Sequence, residues 1–247
     1  MVDRLAVISD IHGNRWALEV VLEEIHELDV DCIVNLGDSL YGPLDPSGTF
    51  EILLDRGIMT VAGNEDRIIS DSSIDPGARP TLEYVRGELD SRAIAWLEGL
   101  PATARIEYAF AFHGTPMKDD EYLLEKVSDR RVSMRSLDEV AAMVSGIQNR
   151  LILCGHSHQP NTILLESGQV VVNPGSVGLQ AYTDDTPFPH MMETGIPHAQ
   201  YSIVELDGED VEIGNLTVSY DWDAAASQAV EQGRSDWADW LRTGKAD

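Results

Sequence analysis

The stretch RLAVISDIHGN, residues 4–14, joins a short apolar run to two metal-competent side chains at its end. The run is too short for a buried helix and is typical of a strand in a parallel sheet. A helical period follows over residues 14–28, then a strand over 31–36, a helix over 46–56 and a strand over 58–61. The first sixty residues therefore predict a β-α-β-α-β order, which is typical of α/β proteins.

Further along, the pattern predicts a turn-rich exposed loop or small cap over residues 68–80, a helix over 90–100 and alternating strand over 103–112. Residues 121–147 are predicted to be mostly helical, with an interruption near 128–133.

From residue 151 the predicted elements are mainly strands. A strand over 151–154 precedes two antiparallel pairs, residues 162–166 with 170–173 and residues 199–206 with 210–218. Between the pairs, residues 178–197 are expected to form a long loop, which in a compact domain is usually functional or mobile. We expect one domain over residues 1–247, with residues 224–247 as a helical tail packed on it through Trp237 and Trp240. A homo-oligomer contact at these two indoles is the alternative.

The charge balance excludes one class of partner. The chain has 17 Lys and Arg against 43 Asp and Glu, a formal net charge of −26. Such a field repels polyanions, so duplex nucleic acid is not an expected partner. Hydrophobic residues make up 43% of the 247 residues, which excludes global disorder. No apolar run approaches the roughly 18–20 residues of a membrane span, so no membrane association is expected.

The expected compartment is the cytoplasm. Residues 1–4 lead directly into a strand-like run without the pattern of a signal peptide. Cys32 and Cys154 lie far apart in apolar runs, which is typical of buried reduced thiols in a cytosolic protein.

Five segments share one layout, an apolar strand followed by potential ligands at its C-terminal end. They are Asp10-x-His12, Gly37-Asp38, Gly63-Asn64-Glu65-Asp66, His113-Gly114 and Gly155-His156-Ser157-His158. Ligands of α/β sheets gather at the carboxyl ends of strands, so these five ends can converge on one site. Each segment alone is a weak signal, because Gly-Asp and Gly-Asn pairs are common turns. The ordered set indicates a metal site.

This set resembles the calcineurin-like metallophosphoesterases, most closely their small bacterial and archaeal phosphodiesterase members. The matching motifs are SDIHGN (9–14), GDSLYGP (37–43), GNED (63–66), HGTP (113–116), GHSHQP (155–160) and the tail motif NPGSVG (173–178). The resemblance extends over residues 5–218. It implies a four-layer α/β/β/α sandwich with two mixed β-sheets and a two-metal site.

By this resemblance, one ion would be held by Asp10, His12, Asp38 and His158, and the other by Asp38, Asn64, His113 and His156. Asp38 would bridge two ions about 3.5–4 Å apart, and a bridging hydroxide would attack phosphorus in line. The mixture of imidazole and oxygen ligands suits Mn²⁺, Fe, Zn²⁺ or Ni²⁺, with manganese favoured, better than Mg²⁺ or Ca²⁺.

Glu65 stands where the family normally has a histidine that binds phosphate and protonates the leaving group. We expect nearby dications to lower the pKa of Glu65, so that it is a poor proton donor and disfavours dianionic phosphomonoesters. The candidate catalytic residues are therefore Asp38, Asn64, Glu65 and His113, and the candidate substrate-binding residues are Asn14, Asn64 and Glu65. Asn14 is equally well suited to cap the first helix.

The expected function is a binuclear metal-dependent phosphodiesterase for a small phosphoester. The first alternative is a protein Ser/Thr phosphatase or other phosphomonoesterase, although no additional phosphate-binding arginine is recognised in the sequence. The second alternative is a non-catalytic interaction scaffold, which is disfavoured because all seven ligand positions are kept.

Overall fold

The computed structural model describes residues 4–128, 131–208 and 210–246. Residues 1–3, which bear on the expectation about the N-terminus, and residues 129–130, within the predicted interruption, lie outside the described part. The strands are β1 (Arg4–Ile8), β2 (Cys32–Asn35), β3 (Met59–Thr60), β4 (Thr103–Ile106), β5 (Ala109–Phe112), β6 (Glu125–Ser128), β7 (Arg131–Met134), β8 (Leu151–Leu153), β9 (Asn161–Leu164), β10 (Val170–Asn173), β11 (Ala181–Asp184), β12 (His190–Glu193), β13 (Ala199–Asp207) and β14 (Asp210–Val218). The helices are α1 (Arg15–Glu27), α2 (Pro46–Arg56), α3 (Asn64–Ser70), α4 (Pro80–Glu88), α5 (Ser91–Glu98), α6 (Leu137–Met143), α7 (Trp222–Glu231) and α8 (Ser235–Thr243), with a 3₁₀ turn at Pro76–Ala78.

Two five-stranded mixed sheets form the centre of the molecule. The first has the order β14-β13-β1-β2-β3, in which β1, β2 and β3 are parallel and β13 and β14 are antiparallel to their neighbours. The second has the order β4-β5-β8-β10-β9, with β5, β8 and β10 parallel. Two small hairpins, β6-β7 and β11-β12, lie outside these sheets.

Side chains alternate between the two faces of each strand, and this alternation creates three apolar layers. In β1, Val7 faces the second sheet and Ile8 faces the cluster that contains α1, α2, α4 and α5. In β8, Leu151 packs between the sheets, whereas Ile152 packs with Val140 of α6 on the far side. The order of layers is helix, sheet, sheet, helix, which confirms the predicted α/β/β/α sandwich.

The predicted β-α-β-α-β order of the first sixty residues is confirmed. The Oδ1 atom of Asn14 accepts a hydrogen bond from the N–H of Ala17 at 3.1 Å and caps α1. Gly57 ends α2 with φ at 59°, in the left-handed region that glycine adopts without steric cost.

The prediction over residues 121–147 was wrong in its first half. Residues with good helix propensity fill this segment, yet β6 and β7 form an antiparallel hairpin and only α6 is helical. The long loop expected over residues 178–197 also contains a hairpin, β11-β12. Both hairpins have short strands stabilised by contacts with the rest of the fold, and local patterns do not report such contacts. The segment over 68–80 contains the end of α3 and the 3₁₀ turn. The helix α4, which begins at Pro80, was not predicted from the sequence.

The C-terminal tail consists of two helices, α7 and α8, that pack against each other and against the core cluster around α1. Trp237 is 4% exposed and Trp240 is 9% exposed, as expected for indoles that attach the tail to the domain. Among the described residues, no helix combines the length and the apolar character needed to cross a membrane.

Candidate metal centre

The predicted ligands lie at the carboxyl ends of strands in both sheets. Asp10 and Asp38 follow the parallel strands β1 and β2, and Asn64 begins α3 after β3. His113 follows β5, and His156 lies in the loop after the parallel strand β8. Because carboxyl ends of parallel strands share one edge, each sheet delivers its ligands to one end of the sandwich.

Hydrogen bonds donated by backbone N–H groups join the ligand loops within each sheet and between the two sheets. The N–H of His12 donates to the carbonyl of Asp38 at 3.0 Å, and the N–H of Gly155 donates to the carbonyl of His113 at 2.7 Å. The N–H of His156 donates to Asp10 Oδ2 at 3.2 Å, across the space between the sheets. The ligand positions are therefore tied to one another through the backbone.

The loop after β10 carries the motif NPGSVG. It donates hydrogen bonds to the loop that carries His156 and to the loop that carries Asp10. The Nδ2 atom of Asn173 donates to the carbonyl of Gly155 and to Ser157 Oγ, both at 3.0 Å. The hydroxyl of Ser176 donates to the carbonyl of Asp10 at 2.8 Å. This motif positions ligand loops and contributes no ligand itself.

Left-handed backbone is concentrated at the site. Five candidate ligands have φ between 51° and 70°, namely Asp10, His12, Asp38, His156 and His158. Each such residue costs roughly 1–3 kcal/mol when it is not glycine, and strain of this kind clusters at functional sites.

Two glycines let the carboxylate ligands approach neighbouring backbone. A Cβ atom on Gly63 would overlap Asp38 Oδ1, and a Cβ atom on Gly155 would overlap Ser9 Oγ beside Asp10. A side chain at either position would displace a carboxylate of the cluster.

Three groups of side chains have ligand atoms close enough to hold an ion. In each group all ligand atoms lie within 4.8 Å of one another, and the groups are Asp10, His12 and His158; Asp38, His113 and His156; and His12, Asp38 and Glu65. Each of the first two groups contains three residues of one four-residue ligand set that the resemblance implies, without Asp38 in the first and without Asn64 in the second. The third adds Glu65 and joins Asp38 to a member of the first group.

Three imidazoles are oriented by backbone carbonyl groups. The Nδ1 atoms of His12, His113 and His158 lie 2.9, 2.8 and 2.6 Å from the carbonyl oxygens of residues 41, 36 and 179. A hydrogen bond donated by Nδ1 assigns the proton to that atom and leaves the lone pair of Nε2 free for a metal ion. The Nε2 atoms of His12 and His158 lie only 3.0 Å apart, an arrangement that suits coordination to a shared cation.

Buried polar atoms without hydrogen-bond partners coincide with the expected ligand atoms. Among the described residues, Asn64 Oδ1 is buried without a hydrogen bond, and the buried Asp10 Oδ1 and His113 Nε2 lie 3.2 Å from His158 Nε2 and Asp38 Oδ2, respectively, which are themselves expected ligand atoms. Buried polar groups are nearly always satisfied, so a buried Asn64 Oδ1 without a partner beside this cluster indicates a missing partner. Imidazole nitrogens and carboxylate oxygens are ligands for divalent ions, and the residues therefore fit a metal centre.

The electrostatics of the cluster favour positive charge at its centre. Burial opposes a charge on His12, but Glu65 and the aspartates outweigh burial and raise the pKa of His12 to about 9. Burial also opposes a charge on His113, whereas Asp38 and Asp10 raise its pKa to about 10. Such a carboxylate environment also stabilises a dication.

His156 and Asp10 respond to the same environment in other ways. Burial and the neighbouring His113 lower the pKa of His156 to about 3, so its imidazole is neutral and able to coordinate. Burial opposes ionisation of Asp10, but His158 and the other imidazoles hold its pKa below the usual range.

Glu65 lies between the ligands and the pocket. Its N–H donates to Asp38 Oδ1 at 2.8 Å, and its Oε2 lies 3.1 Å from His12 Nδ1. Burial raises the pKa of Glu65 to about 7 in the protein alone, with His12 opposing this shift. The lowering expected from the sequence rests on nearby dications, which favour the ionised carboxylate.

The structure corrects one candidate substrate contact. Asn14 is fully buried, and its side chain caps α1 and donates to the carbonyl of Gly178 at 2.9 Å and to the hydroxyl of Tyr220 at 3.2 Å. All these partners are protein groups, so the capping alternative holds and the substrate-contact alternative does not.

A cavity of about 370 Å³ opens over the ligands. Asn64 and Glu65 line it with His12, Asp38, His156 and His158. Its other walls come from positions that the motifs did not single out, namely Tyr41, Leu179, Tyr182, Thr183, Asp184, Arg234, Asp236, Trp237 and Trp240. Tyr41 stands within a motif and could have been found there, but the β11 and α8 residues are distant in sequence and carry no local signal.

The calcineurin-like phosphoesterase superfamily domain matches residues 4–193, more than three quarters of the chain. The chain belongs to the calcineurin-like phosphoesterase superfamily. Members of this superfamily are phosphoric ester hydrolases that use divalent metal ions, and this protein is a metallophosphoesterase with candidate metal-binding clusters.

Relatives of this metallophosphoesterase cover nearly the whole chain. An uncharacterized protein of Methanocaldococcus jannaschii is 26% identical over 258 residues, covering 94% of each chain. Among solved structures, a metallophosphoesterase from Sphaerobacter thermophilus has a TM-score of 0.76 with 23% identity and covers 99% of this chain and 100% of that one. A hypothetical protein of Pyrococcus horikoshii has a TM-score of 0.74 with 20% identity and 99% coverage of both chains. At these identities the two structures support the fold alone.

Proposed function

We propose that the protein is a phosphodiesterase with two divalent ions, one held by Asp10, His12, Asp38 and His158 and the other by Asp38, Asn64, His113 and His156. The observation that carries this proposal is the position of Asp38. Its carboxylate lies within 4.8 Å of ligand atoms of His113 and His156 and also of His12, as a bridging ligand requires. Bound divalent ions supply Lewis-acid polarisation of a phosphoryl group and lower the pKa of water.

Manganese is the proposed metal, with iron, zinc and nickel as alternatives, because four imidazoles stand among the oxygen ligands. Cys32 and Cys154 are free thiols in the structure, which supports the cytoplasm as the compartment. We propose a single domain over residues 1–247. The helices α7 and α8 support this by packing into the core cluster.

Preference for diesters over monoesters follows from Glu65. Its side chain lines the pocket beside His12 and Asp38, and bound dications keep it ionised. A monoester carries nearly two negative charges at pH 7 and a diester carries one, so repulsion by Glu65 penalises the monoester more.

The remaining charges of the pocket act in the same direction. Five carboxylates and one guanidinium belong to the ligand cluster and the cavity wall, namely Asp10, Asp38, Glu65, Asp184, Asp236 and Arg234. The chain therefore places excess negative charge around the ligand cluster, which disfavours a dianionic phosphate at that position.

The test compares bis(p-nitrophenyl) phosphate with p-nitrophenyl phosphate at one pH and one Mn²⁺ concentration. The wild type should have the higher kcat/KM on the diester. Glu65→Gln removes the charge with little change in shape, and Glu65→His restores the family residue, so both should shift the ratio towards the monoester. Glu98→Gln is the control, because it removes an equal charge from an exposed position.

Each alternative has its own outcome in this assay. A wild-type preference for the monoester would support the phosphomonoesterase alternative and contradict the proposal. Metal-loaded protein that hydrolyses neither ester would favour the interaction scaffold. A ratio that does not move in Glu65→Gln, or that moves equally in Glu98→Gln, would show that local charge at Glu65 does not set the preference.

A further inference from the structure

The C-terminal helix α8 brings a basic side chain to the cavity over the ligands. Among the described residues that line this cavity, Arg234 is the only Lys or Arg. It lies beyond residue 193, outside the segment matched by the superfamily domain. In a chain with 17 basic and 43 acidic residues, a guanidinium placed beside a phosphate-binding site requires an explanation.

The guanidinium of Arg234 is held in a fixed orientation. Its Nε donates to Asp236 Oδ1 at 2.9 Å, its Nη2 donates to Asp236 Oδ2 at 2.7 Å, and its Nη1 donates to Thr81 Oγ1 at 2.5 Å. Its central carbon lies 5.4 Å from the ring centre of Trp237. A guanidinium has five N–H donors, so one hydrogen on each terminal nitrogen is left over from these bonds.

The distance from the metal ligands defines what this group can reach. Trp237 packs edge-on against the imidazole of His12, with ring centres 5.8 Å apart. His12, Trp237 and Arg234 all line the cavity, and the guanidinium carbon lies no farther than about 11 Å from the centre of the His12 ring. A substrate that contacts both the ligand cluster and Arg234 therefore needs to span no more than about this distance.

We propose that Arg234 binds a second phosphoryl group carried on one arm of the phosphodiester substrate. This inference rests on the proposed function, since it concerns the same substrate at the same site. The class of substrate is a diester whose arm places a phosphate one sugar-sized spacer away from the scissile group.

The chemistry of Arg234 on the cavity wall favours a phosphate over other groups. A planar guanidinium offers parallel N–H donors that match the oxygens of a phosphate. Asp236 cancels most of the net charge of Arg234, so recognition depends on directed hydrogen bonds from a preorganised donor.

The test uses two chromogenic diesters that differ in one group. Thymidine 5′-(p-nitrophenyl phosphate) ends in a 3′-hydroxyl, and its 3′-phosphorylated counterpart carries the second phosphate. The readout is the ratio of kcat/KM between the two probes, measured with KM and kcat resolved separately. The variants are Arg234→Ala, Arg234→Lys and the control Arg242→Ala, which removes a cation of the same helix that pairs with Asp223 and does not line the cavity.

Wild type should favour the 3′-phosphorylated probe through a lower KM, and Arg234→Ala should reduce the ratio about 10- to 100-fold, the range for a lost hydrogen bond to a charged group. Arg234→Lys should have a ratio between those of wild type and Arg234→Ala, because lysine keeps the positive charge but lacks the paired N–H donors of the guanidinium. Arg242→Ala should leave the ratio as in wild type.

A ratio that is the same in wild type and Arg234→Ala would overturn the inference, and so would an equal fall in Arg242→Ala. Because the ratio is internal to each protein, a partly unfolded variant lowers both rates without moving it. Failure of the proposed function has a different signature, since the wild type would then hydrolyse neither diester.

Discussion

Replacement of Glu125 by glutamine should stabilise the protein at high pH and leave its stability nearly unchanged at low pH. Glu125 begins β6 and is 3% exposed. Burial raises its pKa from 4.5 to about 7, against the opposing influence of Ser157 and Arg135. Folding therefore favours the neutral acid, which glutamine imitates in shape.

The sign and size of the contribution of Glu125 to the free energy of unfolding follow from proton linkage. A folded-state pKa above the unfolded value contributes stability that is complete below pH 4.5 and is lost as the pH rises to about 7. At about 1.4 kcal/mol per pKa unit, the loss amounts to at most about 3.5 kcal/mol above pH 7. Glutamine does not titrate, so this loss is absent from Glu125→Gln.

The assay is urea unfolding of wild type and Glu125→Gln at several pH values between 5 and 8.5, with chelator present throughout. The difference in unfolding free energy should grow with pH and reach a plateau above pH 7. The exposed Glu166→Gln serves as the control for loss of one negative charge, and it should show no such growth. A difference between Glu125→Gln and wild type that is constant across this range would refute the reasoning.

Four further predictions concern the metal centre. Asp38→Asn should reduce occupancy of both ions and abolish turnover while the fold persists; two tightly bound ions in active variant protein, measured by elemental analysis, would contradict the bridge. Chelation should remove activity, and Mn²⁺ should restore it better than Ca²⁺, which prefers all-oxygen shells; full activity of chelated protein would argue against a metal enzyme. Because the pKa values of His12 and His113 are about 9 and 10, ion binding at pH 7 should release protons and tighten as the pH rises, and calorimetry in buffers of different ionisation enthalpy should detect them. Gly63→Ala should weaken ion binding because its Cβ overlaps Asp38 Oδ1, whereas Gly146→Ala, at a position open to solvent, should leave affinity unchanged.

The sequence predicted the sandwich and most of the elements of its two main sheets. Strands β1, β2 and β8 are buried on both faces, so they appear as continuous apolar runs, and the capping residues that bound α1 and α2 act locally. The two hairpins β6-β7 and β11-β12 were missed for a physical reason. Their strands are four residues long and are stabilised by neighbours distant in the chain, such as the hydroxyl contact of 2.8 Å between Tyr122 and Tyr182.

The candidate site likewise has a part that the sequence predicted and a part that it did not. Ligands such as Asp10 and His158 belong to short motifs that directly follow predicted strands, and this information is local. Arg234 and Trp237 reach the cavity only because α8 folds back over the ligand loops. No pattern near residue 234 reports that approach, so the sequence alone indicated no arginine near the substrate.

The backbone of the ligand loops explains why the ions and the fold depend on each other. Asp10 and Asp38 adopt left-handed conformations that non-glycine residues avoid, at roughly 1–3 kcal/mol each. The loops keep this geometry because β1 and β2 are fully paired in a buried sheet and because hydrogen bonds such as Ser176 to the Asp10 carbonyl hold them from behind. An ion that binds only this arrangement stabilises the folded state in proportion to its affinity. The fold therefore supplies a preorganised set of ligands, and each bound ion offsets part of the strain and of the repulsion between carboxylates that this preorganisation creates.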